Sequence, residues 1–219
     1  MKIAKARDRS LATISALTAV LVITMALTLG TSELFAESPT PLDTVKGAVD
    51  DTVAILHNVQ EPVKQRRREL RQLVEQELDL GSMARTSLGI HWSQLNAKQR
   101  DEFVPLFAAF IETVYLDQIQ DYAKLKIEVS SQTLVASDYA RVSVTVLQPS
   151  KNPIPIVFLL EKKGVRWVVY DVNVEGISMV ENYRAQFDRV IRSGGIDGLM
   201  NKLRQKRAQL VLLLGESSS

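Results

Sequence analysis

The sequence predicts an α+β fold in which helices pack against a four-stranded antiparallel sheet. Apolar residues recur every three or four positions from residue 42 to about residue 120, and again beyond Gly176. Between Leu125 and Val174 they recur at every second position instead. Helices and strands that occupy separate stretches of the chain are typical of α+β domains, and the chain shows no internal repeat.

Length and composition indicate one domain preceded by a leader. A chain of 219 residues is too short for two domains with full-sized cores. The 27 lysines and arginines nearly balance the 25 aspartates and glutamates, so charge does not indicate a nucleic-acid partner. Because there is no cysteine and the only histidines are His57 and His91, we expect no disulfide, metal site or cofactor.

Residues 1–36 resemble a secretory signal peptide. A basic start, with Lys2 and Lys5, precedes a nearly charge-free apolar run from Leu11 to Leu29, and Ala36 offers a cleavage site. We therefore expect an exported domain at residues 37–210, followed by a tail at residues 211–219. The apolar run is long for a signal core, so an uncleaved membrane anchor remains the alternative.

The first part of the domain is predicted to form helices. One covers Leu42 to Leu56, and a second follows Pro62. A longer helix occupies residues 96–120, where Asn96 and Gln99 have the spacing of a capping box. Pro105 lies within it, so we expect a kink or a restart near Phe103.

Four strands are predicted at residues 125–129, 142–146, 154–160 and 168–174. Gly164 suits a tight turn between the last two, which indicates an antiparallel meander. These last two strands are apolar on both faces, which an antiparallel sheet with one wet face would not be. Either helices cover both faces, or an apolar ligand fills a cavity on one of them. Helical spacing resumes at Ile177.

Two blocks of residues, from Leu88 to Phe110 and from Tyr170 to Leu199, resemble the MlaC-like phospholipid-binding proteins. This family is also called the toluene-tolerance or auxiliary ABC-transport family, and the likeness spans residues 42 to 207, with departures at Pro105 and from Val211. The matching positions are Leu88-Gly89, His91-Trp92, Gln99-Arg100, Phe103, Phe107, Phe110, Tyr170-Asp171-Val172, Glu175-Gly176-Ile177-Ser178, Tyr183-Arg184 and Gly195-Ile196-Asp197-Gly198-Leu199.

The resemblance implies a periplasmic phospholipid carrier rather than an enzyme. It implies a curved sheet of the nuclear-transport-factor-2-like kind, which encloses an apolar pocket for acyl chains. The implied partners are an ABC transporter complex in the inner membrane and a lipoprotein complex in the outer membrane, and the implied role is to maintain the lipid asymmetry of the outer membrane.

Candidate contacts to the lipid follow from the apolar pattern together with this resemblance. For the acyl chains they are Phe107, Ile111, Tyr115, Val142, Val144, Val146, Ile156, Phe158, Leu160, Tyr170, Val172, Ile177 and Val180. For the headgroup they are Arg141, Arg166 and Arg184, because a guanidinium group suits phosphate and these residues flank the sheet.

Two other classes of function remain open at this point. Tyr170 and Asp171 could serve an isomerase-like enzyme, although neighbours on a strand point to opposite faces and only one of them could line a cavity. We interpret Asp171 instead as a polar contact to a helix or to a turn backbone. A scaffold anchored in a membrane by residues 10–30 is the second alternative.

Overall fold

The structure is a computed structural model that describes residues 38–122 and 124–214, with side chains described at residues 38–114 and 124–211. These residues belong to one compact unit. The predicted signal peptide at residues 1–36 lies outside the described residues. So does the end of the predicted tail, residues 215–219.

The chain enters the fold through helix α1, Pro41–His57. Thr40 and Asp43 form a capping box at its start, in which the Asp43 N–H donates to Thr40 Oγ1 and the Thr40 N–H donates to Asp43 Oδ2. Pro41 occupies the first turn, where its missing N–H costs no hydrogen bond. Helix α2, Val63–Glu77, follows Pro62 as predicted.

A short helix that the sequence pattern did not predict, α3, covers Leu80–Leu88. Asp79 caps its start by accepting from the Ser82 N–H at 3.0 Å. Gly89 ends it with a φ of 55°, a conformation that favours glycine. A 3-10 helix, Gly89–Gln94, leads on to the next long helix.

Helix α4, Ala97–Tyr122, confirms the predicted capping box, since Asn96 and Gln99 bond each other's backbone N–H groups. The helix continues through Pro105, so it does not restart near Phe103, and a kink there stays a prediction. Phe103, Leu106 and Phe107 are all fully buried on either side of the proline. Their burial stabilises helical backbone here by more than the lost hydrogen bond destabilises it.

The sheet is an antiparallel meander in the order β1-β2-β3-β4-β5. Its strands are Lys126–Ala136, Tyr139–Leu147, Ile154–Lys163, Arg166–Val174 and Ile177–Ser178. The fifth, two-residue strand was not predicted. Gly164 makes the β3–β4 turn with a φ of 64°, as expected. The α+β prediction is therefore confirmed, with one more strand than expected.

Helix α5, Met179–Leu214, completes the fold. Ile177 lies in β5, so the helix begins two residues later than predicted, after Glu175 and Gly176 turn the chain with positive φ angles. Gly195, at a φ of 69°, interrupts the helix. The helix continues to Leu214, four residues into the predicted tail.

Two large hydrophobic clusters form most of the core of the described residues, and a third, small one pairs Ala109 with Leu210. The helical cluster joins α3, α4 and α5, and it includes Met83, Leu88, Phe103, Phe107 and Tyr183. The sheet cluster joins one face of β1 to β4 with α1. Leu78 and Met179 pack against both clusters, so they connect the helical part of the core to the sheet.

Candidate functional site

One face of the sheet, called here the inner face, is apolar over most of its area. Strand pairing aligns its residues in rows: Val144 lies beside Ile156, Val142 beside Phe158, and Phe158 in turn beside Val172. Side chains alternate between faces along a strand, so the β-branched residues at every second position all point to this side. Seven predicted acyl-chain contacts share the face: Val142, Val144, Val146, Ile156, Phe158, Leu160 and Val172.

Helix α1 covers part of the inner face through Leu42, Val45 and Val49. Val142 and Leu160 are 0% exposed, so protein atoms already surround them. Other inner-face residues are only half-buried, namely Ile127, Val129, Ile156, Phe158 and Val174. The described residues thus leave apolar surface of the inner face uncovered, and this incompletely covered surface is the candidate lipid site.

Ile127, Val129 and Val174 were absent from the predicted contacts. The signal that could have found them was present, because Val174 continues the period-two pattern of Val172, and Ile127 and Val129 follow the same pattern in the first predicted strand. Their partial exposure depends on which parts of the sheet α1 covers, and periodicity does not report that.

Tyr170 lies on the outer face of the sheet, opposite the inner face. This contradicts the prediction that Tyr170 and Val172 contact the acyl chains from the same side. Leu159 of β3 pairs with Asp171 of β4, but the next residue, Leu160, pairs with Val169. Tyr170 is therefore the extra residue of a β-bulge on β4. Its ring contacts Tyr139 edge-to-face, with centroids 5.9 Å apart. Burial, together with nearby Asp171 and Tyr139, raises the pKa of the Tyr170 phenol. A phenol whose pKa is raised is a poor general base.

Asp171 is buried and accepts hydrogen bonds from three groups. Oδ1 accepts from the Val172 N–H at 2.8 Å and the Val180 N–H at 3.1 Å, and Oδ2 accepts from Ser178 Oγ at 2.5 Å. A carboxylate at the start of a helix satisfies its free N–H groups and interacts favourably with the helix dipole. Asp171 therefore joins β4 to the start of α5, in agreement with its interpretation as a backbone contact.

The predicted contacts on the helices lie apart from the inner face. Phe107, Ile111 and Val180 belong to the helical cluster. Ile177, on β5, pairs with the inner-face residue Val174 and is 64% exposed. The side chain of Tyr115 lies outside the described side chains. The structure therefore brings together the sheet residues of the predicted set and separates the helical ones from them.

Two of the three predicted headgroup arginines bond to helix ends. Arg166 Nη2 donates to the Gln76 carbonyl near the end of α2, and Arg184 Nε donates to the Thr86 carbonyl near the end of α3. Carbonyl groups in the last turn of a helix have few helical N–H partners, so both contacts stabilise helix ends, and the Thr86 carbonyl accepts from the Gly89 N–H as well. Arg141 is exposed on the outer face, where it pairs across the strands with Leu159. Headgroup contacts by these residues stay predictions.

Residues 38–122 and 124–214 contain no cluster of three or more histidine, aspartate or glutamate side chains placed to hold a metal ion. Within the same ranges, no helix combines the length and apolar character needed to cross a bilayer. The proposed anchor at residues 10–30 lies outside these ranges.

Comparisons with known proteins agree with the predicted resemblance. Residues 46–205 match the family described as MlaC protein. The intermembrane phospholipid transport system binding protein MlaC of Haemophilus influenzae is 27% identical over 201 residues, which cover 87% of this chain and 94% of that protein.

A solved structure is similar as well. The phospholipid-binding protein from Ralstonia solanacearum, determined in complex with a phospholipid, superposes with a TM-score of 0.65 and 27% identity. The match covers 77% of this chain and 97% of that one. Since the family match alone spans most of the described residues, this chain belongs to the MlaC protein family.

Proposed function

We propose that this protein is a periplasmic phospholipid carrier that binds the acyl chains of its lipid against the inner face of the sheet. The observation that carries the proposal is the half-buried apolar surface formed by Ile127, Val129, Ile156, Phe158 and Val174. Acyl chains need an apolar lining with few polar groups, and this surface has that composition. The names of the relatives from Haemophilus and Ralstonia support phospholipid as the ligand.

The fully buried inner-face residues have a different role in this proposal. Val142, Val144 and Leu160 form a packed floor that fixes the shape of the sheet, while Ile156 and Phe158 contact the lipid. Burial of acyl chains contributes about 0.8 kcal/mol per methylene. For two tails of about fifteen methylenes each, the free energy of transfer from water would sum to roughly 24 kcal/mol. This sum is an upper value, since ordering the tails subtracts from it. Release into water is consequently slow.

A carrier that releases its lipid so slowly needs partners that offer an apolar exit path. We propose that these are an ABC transporter complex in the inner membrane and a lipoprotein complex in the outer membrane. Exchange between them would maintain the lipid asymmetry of the outer membrane. The Asp171 carboxylate, which bonds three groups at the start of α5, and the outer-face position of Tyr170 against Tyr139 favour this carrier function over the isomerase-like alternative.

Phe158→Glu is expected to remove most of the bound phospholipid and to leave a folded protein. A carboxylate on the half-buried surface either stays hydrated or takes up a proton, and in both cases the acyl chains lose affinity. The measurement is mass spectrometry of the organic extract of protein purified without detergent, where we expect one glycerophospholipid per unmodified chain.

The matched control is Val157→Glu, which places the same charge one residue away on the outer face of β3. It should keep its lipid, and circular dichroism should show both variants folded. Equal lipid loss from both variants, or unmodified protein that carries no lipid, would contradict the inner face as the binding surface.

Lipid transfer tests the proposed partners. Loaded protein is expected to pass labelled lipid to vesicles that contain either membrane complex much faster than to vesicles without protein. The reason is that only a docked partner offers a path that avoids water. The readout is fluorescence transfer between donor protein and acceptor vesicles. Equally fast transfer to protein-free vesicles would refute the need for a partner.

A further inference from the structure

The two edges of the sheet differ in how they are covered. At the β4 edge, Leu78 bridges to Val169, the Asp79 N–H donates to the Val169 carbonyl at 2.8 Å, and β5 pairs with Asn173 and Val174. At the opposite edge, β1 is the last strand of the sheet. The outer side of an edge strand presents N–H and C=O groups that can pair with another strand.

Beyond Lys126 and Glu128 at its start, strand β1 lacks the side chains that normally protect such an edge. Residues 130–136 are all exposed, and they contain no charged residue and no proline. Leu134 and Val135 are 59% and 58% exposed. Natural edge strands usually carry lysine, proline, bulges or a covering segment. Bulges at Ser130 and Val135 are present, but they leave residues 131–134 in regular register with β2.

We infer that this edge pairs with β1 of a second copy of the same chain, in an antiparallel, two-fold arrangement centred on Gln132. A two-fold contact brings the same patch of both copies together, so any charge near its centre would face its own copy. The charge-free stretch from residue 129 to residue 137 avoids that repulsion.

The charges at the start of β1 and in the turn that follows it select the register. With Gln132 on the axis, Lys126 of one copy faces Asp138 of the other, which is a favourable pair. With Thr133 on the axis, Glu128 would face Asp138, and like charges placed directly opposite destabilise a sheet. The register centred on Gln132 is therefore the favoured one, and it joins the two sheets with both inner faces on the same side.

Cysteine cross-linking tests the register, because the unmodified chain has no cysteine. In the Gln132→Cys variant the two thiols would lie opposite each other, with facing Cα atoms about 4.5–5.5 Å apart, a distance that suits a disulfide. We expect mild oxidation of the concentrated protein to give a covalent dimer, seen on a non-reducing gel. The Thr133→Cys variant should give less covalent dimer than Gln132→Cys. Val165→Cys, at a 70% exposed site in the β3–β4 turn, should give little covalent dimer.

A charged substitution at the edge tests the pairing without replacing Gln132. This second test matters because Gln132 Oε1 also accepts a hydrogen bond from the Leu42 N–H of α1, which the Gln132→Cys variant would lose. Sedimentation equilibrium over a wide concentration range should show a weak dimer of the unmodified protein. Leu134→Lys should abolish it, while Val165→Lys should leave it unchanged.

Three results would overturn the inference. They are a protein that stays monomeric at every concentration, a dimer that survives Leu134→Lys, and cross-linking that is as efficient at Val165 as at Gln132. Amide exchange offers a further check: protection of β1 that appears only when a different protein is added would assign this edge to that protein instead.

Discussion

Replacing Phe107 with alanine is expected to lower the free energy of unfolding by about 3–5 kcal/mol, the usual cost of truncating a buried phenylalanine. Phe107 is 0% exposed at the centre of the helical cluster. Its ring stacks on Phe103 at 6.3 Å and meets Tyr183 and Phe187 edge-to-face at 6.5 and 6.3 Å. Alanine would leave a cavity in contact with three rings, on helices that cannot close it without moving.

Denaturant titration measures this effect, and Ile90→Ala is the control. Ile90 is 79% exposed, so the same kind of truncation there should change stability by less than about 0.5 kcal/mol. The lipid bound per folded chain should stay unchanged in Phe107→Ala, because Phe107 lies in the helical cluster and away from the inner face. A variant that stays stable but loses lipid would place Phe107 in the binding site after all.

Asp171→Ala is expected to cost about 3 kcal/mol of stability, since hydrogen bonds to a charged acceptor are worth more than neutral ones. Loss of the Asp171 carboxylate removes the oxygen that accepts from the Val172 and Val180 N–H groups, and it also removes the partner of Ser178 Oγ. The start of α5 should then open more readily than the rest of the helix. Chemical unfolding gives the stability, and amide exchange at Val180 reports the local opening.

Asp171→Asn is the conservative comparison. An amide oxygen can still accept from the two backbone N–H groups, so we expect it to recover part of the lost stability. Neither variant should change the lipid content of the folded protein. A catalytic carboxylate would behave differently, because the amide would abolish turnover of a substrate while leaving stability nearly intact. That outcome would revive the enzyme alternative.

The amino-acid sequence by itself determined the features that depend on near neighbours along the chain. The capping box of Asn96 and Gln99 was predicted correctly because both partners lie within one turn. The same is true of the turn at Gly164, where a positive φ favours glycine. Period-two alternation placed Val142, Ile156 and their row partners on one face because side-chain direction alternates within each strand.

Only the tertiary structure decided how these faces meet. Tyr170 moved to the outer face because β3 and β4 pair with a bulge, which depends on both strands at once. Phe107 and Arg166 have the side chains expected of lipid contacts, yet long-range packing assigns the first to the helical cluster and the second to the end of α2. Pro105 stays within a helix, and α3 forms at all, because buried neighbours from distant segments outweigh local preference.

The candidate site shows the same division. Its composition could be predicted from the alternating pattern, but the contrast between fully buried Val142 and half-buried Phe158 on one face could not. That contrast arises from the part of the sheet that α1 covers. Periodicity records which way a side chain points, whereas coverage depends on where a separate helix lies, and no spacing along a single strand contains that information.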